Sequence, residues 1–204
     1  MFSLRRGTCL ISNYHRSKNV TYRNEYLPGS CKKILREKLI TVIGYGDQGK
    51  AHACNIKHKV PTILGVIKNS NCWNNAIKDG WNPGYNLFDI DEASYKGDVV
   101  MYLLSESEQK TMWETVKSNL TCNKTLYFSN TINMITEIDS EVLPPDNIDV
   151  ISVEPHCDGD TVRKNFINDN GFISTYNIHQ NYTGEAKENC KAIGFLIGSK
   201  YMYI

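Results

Sequence analysis

The chain has 204 residues, 41% of them hydrophobic, and its basic and acidic residues nearly balance at a net charge of +1. That length supports one sizeable domain with its own core, and the balance excludes selection of a polyanion such as nucleic acid by charge alone. No apolar run approaches a membrane span, and the seven cysteines (Cys9, Cys31, Cys54, Cys72, Cys122, Cys157, Cys190) are odd in number and scattered. Without CxxC or Cys/His metal spacing they read as free thiols in a reducing compartment.

Residues 1–30 read as a tail. The first 24 hold no acid but carry Arg5, Arg6, Arg16, Lys18 and Arg23 among Ser and isolated apolar residues. Two readings stand: a transit peptide for the mitochondrial or plastid matrix, or a disordered basic tail on a cytoplasmic protein. Residues 31–204 then form a single domain. A short helix is predicted over 34–38. Strands follow at 39–44, 61–66, 98–104, 125–128, 148–153, 172–177 and 201–204, with a weaker one over 86–88. They are short, apolar and β-branched, as in strands buried on both faces. Helical patterns fill the gaps, which predicts an α/β fold with a doubly wound, mostly parallel, Rossmann-like sheet.

Three helix starts are marked by side chains. Ser105-x-x-Glu108 is a capping box before a stripe of Met112, Trp113, Val116 and Leu120. Asp158 or Asp160 caps a helix carrying Val162, Phe166 and Ile167, and Thr183 or Gly184 opens one with Ala186, Cys190, Ile193 and Ile197 buried. Gly198 marks the end of that last helix.

Chemistry concentrates at the end of the first long strand, in Gly44-Tyr45-Gly46-Asp47-Gln48-Gly49. This is the dinucleotide-binding turn. Gly44 permits the sharp bend, Gly46 leaves room for a pyrophosphate, and Gly49 lets the helix pack close, with its N-terminal amides facing the phosphates. NAD sites place an acid at the end of the second strand to hold the ribose. Here that strand runs into Val66-Ile67-Lys68-Asn69-Ser70 with no acid, so Lys68 and Ser70 favour the extra phosphate of NADP; the alternative is that Lys68 is a solvated turn residue.

Longer motifs carry a resemblance. Ile43–Gly49, Gly65-Val-Ile-Lys68, Ala76-Ile-Lys-Asp-Gly-Trp-Asn-Pro-Gly84, Lys124-Thr-Leu-Tyr-Phe-Ser129, Pro144-Pro-Asp146 and Thr161-Val-Arg163 resemble the N-terminal domain of ketol-acid reductoisomerase, the fungal organellar form above all. The resemblance implies an NADPH-dependent oxidoreductase of isoleucine and valine synthesis. Such an enzyme isomerises and reduces 2-acetolactate or 2-aceto-2-hydroxybutanoate, with two magnesium ions held by a C-terminal helical domain. It implies cofactor contacts at Tyr45, Asp47 and Gln48, at Lys68 and Ser70 near the 2′-phosphate, at Glu106 to Gln109 along the adenosine half, and at Gly159 near the nicotinamide.

Several of these positions depart from the family. Its arginine after the second strand is Ile67, a phosphate-binding serine is Cys72, and the serine of the glycine turn is Asp47. A carboxylate beside a pyrophosphate is unfavourable; in a second reading Asp47 turns outward and pairs with Lys50. The active-site histidine is Asn130, which exchanges no proton near neutral pH, and a lysine beside the metal site is His156. Glu154, Asp158 and Asp160 cluster, but helix capping accounts for such acids, so no metal site is predicted. The family's metal ligands lie beyond Ile204. Three functions remain open: the cofactor half of the reductoisomerase, working with a helical domain, a helical subunit or a homo-oligomer; a nucleotide-binding or interaction module without catalysis; and another NADP-linked reductase of a small hydroxy or keto acid.

Overall fold

A computed structural model of the chain describes residues 20–22, 28–130 and 142–204. The elements, in chain order, are β1 (Val20–Tyr22), α1 (Pro28–Ile34), β2 (Ile40–Ile43), α2 (Asp47–Ile56), β3 (Thr62–Gly65), α3 (Asn71–Lys78), β4 (Leu87–Phe88), α4 (Ile90–Lys96), β5 (Val99–Tyr102), α5 (Glu106–Ser118), β6 (Thr125–Phe128), β7 (Asp149–Pro155), α6 (Gly159–Ile167), β8 (Phe172–Gln180), α7 (Ala186–Ile197) and β9 (Ser199–Tyr203). The described strands form one sheet in the order β1-β9-β8-β7-β6-β5-β2-β3-β4. Only β7–β8 and β1–β9 pair antiparallel; every other pairing is parallel. The predicted mostly parallel, Rossmann-like architecture is therefore the one observed.

Alternation along the strands divides the core in two. On β5 and β6, Val99, Met101 and Tyr127 enter one cluster, while Val100, Tyr102, Leu126 and Phe128 enter the other. Successive side chains point to opposite faces, so an all-apolar strand feeds both layers. The first cluster lies beneath α2 and α7, with Ala53, Ile56, Ile193 and Ile197 buried. The second is closed by α4 and α5, with Ala93, Trp113 and Val116 buried. Each fully buried large apolar side chain adds about 1.5–3 kcal/mol, so both layers are needed to offset the chain entropy.

Helix starts follow the local chemistry. The Ser105 N–H and hydroxyl both donate to the Glu108 carboxylate, and Asp158 accepts from the Thr161 N–H at 2.8 Å. Gly198 ends α7 at φ 121°, where a Cβ would press on Phe166 and Phe172.

The structure differs from the sequence reading in three places. Val20–Tyr22, inside the stretch read as tail, is a strand paired with Tyr201–Tyr203 of β9. The short leading helix occupies Pro28–Ile34 rather than 34–38, because Cys31 and Leu35, one turn apart, are the residues buried there. Helix α7 starts at Ala186, because Thr183 is held by the Asp149 carboxylate through its N–H (2.9 Å) and its hydroxyl (2.6 Å). Residues 1–19 and 23–27 of the stretch read as tail lie outside the described residues.

Candidate functional site

β3 and β4 lie on one side of β2, while β5, β6 and β7 lie on the other. The winding reverses at β2, and at such a switch point the loops after the strands diverge and leave a crevice. A cleft of about 470 Å³ opens there. Its walls are the glycine turn (Gly44 to Gln48), the loop after β3 (Val66, Ile67, Ser70, Asn71, Cys72), the loop after β5 (Leu103, Leu104, Ser105, Glu108, Gln109), and Ser129 and Asn130 after β6.

The three glycines have different reasons. Gly44 has φ +100°, and a Cβ there would lie 2.6 Å from the Leu103 carbonyl oxygen. A Cβ on Gly49 would lie 2.4 Å from the Gly44 carbonyl oxygen. Both positions close the turn onto its neighbours. Gly46, which lines the cleft, would place a Cβ within 4 Å of nothing. The fold does not require that glycine; space in the cleft is its consequence. Just beyond it α2 begins, with its first turn of amides lacking intrahelical acceptors.

A polar network sets the turn from behind. The Tyr45 hydroxyl donates to Asp79 Oδ2 (2.9 Å) and accepts from Trp81 Nε1 (3.2 Å), and Lys50 Nζ lies 2.9 Å from the same Asp79 oxygen. Burial raises the Tyr45 pKa, and the hydrogen bond from Lys50 holds the Asp79 carboxyl below its usual range. Lys50 is thus engaged by Asp79, not by Asp47.

Asp47 points elsewhere. Its Oδ2 accepts from the Gly159 N–H at 2.7 Å, which joins the start of α2 to the start of α6. Gly159 is buried there, and any Cβ would strike Asp47. The second sequence reading of Asp47 is therefore corrected: it does not pair with Lys50, and its carboxylate meets the Gly159 amide while the residue remains part of the cleft wall. Gln48 reinforces the junction, its Nε2 donating to the Cys157 carbonyl at 2.9 Å, while its buried Oε1 has no protein partner.

The other positions divide clearly. Ser70 lines the cleft and caps α3, accepting from the Trp73 N–H at 3.1 Å. Gln109 lines it too, but its Nε2 donates to the Leu104 carbonyl at 2.9 Å. Asn130 is on the cleft wall. Lys68 and Glu106 are exposed and outside the lining, and Gly159 lies behind Asp47. His156 is exposed as well, its Nε2 2.7 Å from the Thr175 hydroxyl, so it does not join Asn130 at the cleft. The sequence reading did not assign Val66, Asn71, Leu103 and Leu104 to the site, and took Ser105 only as a helix cap; the signal was there, because each follows the C-terminal end of a parallel strand. Among the described residues, no three His, Cys, Asp or Glu side chains come together to hold a metal ion.

Comparison with known proteins gives a consistent picture. The family profile described as "Acetohydroxy acid isomeroreductase, NADPH-binding domain" matches residues 34–202. The chain is 38% identical over 187 residues to "Ketol-acid reductoisomerase (NAD(+))" of Desulfosudis oleivorans, covering 91% of this chain and 53% of that protein. It is 42% identical over 170 residues to "Ketol-acid reductoisomerase, mitochondrial" of Neurospora crassa, covering 83% and 42%. A solved NADH-preferring ketol-acid reductoisomerase from an uncultured archean superposes with TM-score 0.77 at 31% identity, over 84% of this chain and 53% of that one. The chain spans about half the length of the curated relatives it matches.

Proposed function

The chain belongs to the ketol-acid reductoisomerase family, and from that premise we propose that it is the cofactor-binding half of such an enzyme. In this reading it holds NADPH for the isomerisation and reduction of 2-acetolactate or 2-aceto-2-hydroxybutanoate in branched-chain amino-acid synthesis. The observation that carries it is Gly46, a glycine the fold does not need, opening onto the cleft where the sheet reverses. The first-turn amides of α2 would meet the pyrophosphate, and Ser70 and the start of α3 the adenosine end. When bound, the nicotinamide supplies a hydride to a carbonyl carbon.

Among the described residues no three His, Cys, Asp or Glu side chains converge, and no step is assigned to a metal on this chain. A helical domain, as a separate subunit or a continuation, would bring the metal and most substrate contacts. The name of the fungal relative, with the basic serine-containing residues 1–24, supports a mitochondrial matrix location.

One observation favours a second reading. Asn130 stands on the cleft wall where the family places a histidine, and a neutral amide relays no proton. A module that binds a dinucleotide without turnover fits that residue. Titration of the 204-residue chain with NADPH, followed by addition of a family helical domain, magnesium and 2-acetolactate, separates the two. Consumption of NADPH supports the enzyme half; saturable binding without consumption supports the module; absence of binding overturns both.

A further inference from the structure

Asp47 is an acid placed between two helix starts. It is the first residue of α2, and its carboxylate accepts from the amide of Gly159, the first residue of α6. The two starts are in direct contact, since even a methyl group on Gly159 would overlap Asp47. Both helix starts carry partial positive charge, and a carboxylate between them is stabilising. A phosphate entering at Gly46 seeks the same field and the same kind of amide donor.

The rest of the cleft does not compensate. Its lining contains two carboxylates, Asp47 and Glu108, and no Lys, Arg or His. The Glu108 charge is drawn into the cap of α5 by the Ser105 N–H and hydroxyl. Asp47 is therefore the charge that an incoming pyrophosphate meets next to Gly46.

We propose that Asp47 is an internal anion that tunes dinucleotide affinity: it stabilises the empty domain by bridging the starts of α2 and α6, and it opposes the pyrophosphate of the cofactor. This rests on the reading of the cleft as a dinucleotide site. The bridge does not depend on charge alone, because Gln48 ties the same two segments through the Cys157 carbonyl. An asparagine at 47 keeps an oxygen for the Gly159 amide, so D47N removes the charge and leaves the geometry.

The test is calorimetric titration of the 204-residue chain and of D47N with NADPH and with NADH, at low and at high salt, with melting curves of both proteins without ligand. D47N is expected to bind both dinucleotides about tenfold tighter at low salt, with the gap narrowing as salt screens the charge. Its ligand-free melting temperature is expected to fall. A gain shared by NADH and NADPH places the effect at the pyrophosphate. Equal or weaker binding by D47N, a gain confined to NADPH, or an unchanged ligand-free melting temperature overturns the proposal while leaving the dinucleotide site standing. Absence of binding by both proteins overturns the site and, with it, the role of Asp47.

Discussion

The Tyr45 hydroxyl and the Asp79 carboxylate, 2.9 Å apart, tie the glycine turn to the C-terminal cap of α3. The start of the same helix forms the cleft wall at Asn71 and Cys72. One short helix thus connects two walls of the cleft, and Lys50 joins it at the shared carboxylate oxygen.

Asp79→Ala leaves the Tyr45 hydroxyl, which still accepts from Trp81 Nε1, without its own acceptor, and is expected to cost about 1–2 kcal/mol. Little of that comes from Lys50, whose side chain is 53% exposed. Because Lys50 and Tyr45 hold the Asp79 pKa below the ordinary value, its contribution is fully present above the unfolded carboxylate pKa of about 4. It is lost as pH falls through the depressed folded value. Melting temperatures of wild type and Asp79→Asn should therefore converge below about pH 4.

His52 gives a broader acid response. It is fully buried on α2, its ring set edge-on to Tyr127 with centroids 6.0 Å apart, and desolvation lowers its pKa to about 3. The folded protein keeps the ring neutral while the unfolded chain protonates it below about pH 6.5. Between those values the unfolded state binds more protons, so stability declines steadily as pH falls from about 6.5 towards 3. His52→Leu removes this term. Its melting temperature should vary less with pH across that interval than that of wild type.

The three glycines of the turn should separate folding from binding. Gly49→Ala forces a methyl group against the Gly44 carbonyl and should cost about 1–3 kcal/mol. Gly44→Ala adds the strain of a left-handed φ to a clash with Leu103. Gly46→Ala has open space and should melt within a degree or two of wild type, by the usual size of a surface change. Its affinity for a dinucleotide should fall. Circular dichroism melts with fluorescence titration of NADPH read both; a large loss of stability in Gly46→Ala would contradict the geometry.

Asp149 is fully buried and takes both its side-chain donors from Thr183. Thr183→Val removes the hydroxyl and leaves one carboxylate oxygen short of a partner. The expected cost is about 1–3 kcal/mol, read as a shifted midpoint in urea with an unchanged slope.

How far the fold could be read in advance depended on the range of the interactions. β2, β3, β5 and β6 announce themselves as short apolar runs because each is buried on both faces. The caps at Ser105 and Asp158 are also local, closing within three residues. β1 was not legible, since Val20–Tyr22 lies in a polar, basic stretch and becomes a strand only by pairing with β9, some 180 residues on. The site divides the same way. The turn's glycines and the family motifs stood in the sequence, whereas Asp47 found Gly159, 112 positions away, and His156 found Thr175.

The sequence by itself determined the layered α/β sheet, the glycine turn and the family, because burial pattern, helix caps and turn chemistry act over a few residues. Only the tertiary structure decided that Asp47 lies against α6, that Lys68 stands outside the cleft and that His156 stays away from Asn130. Those outcomes turn on which distant segments the sheet order brings together, and no local preference encodes that.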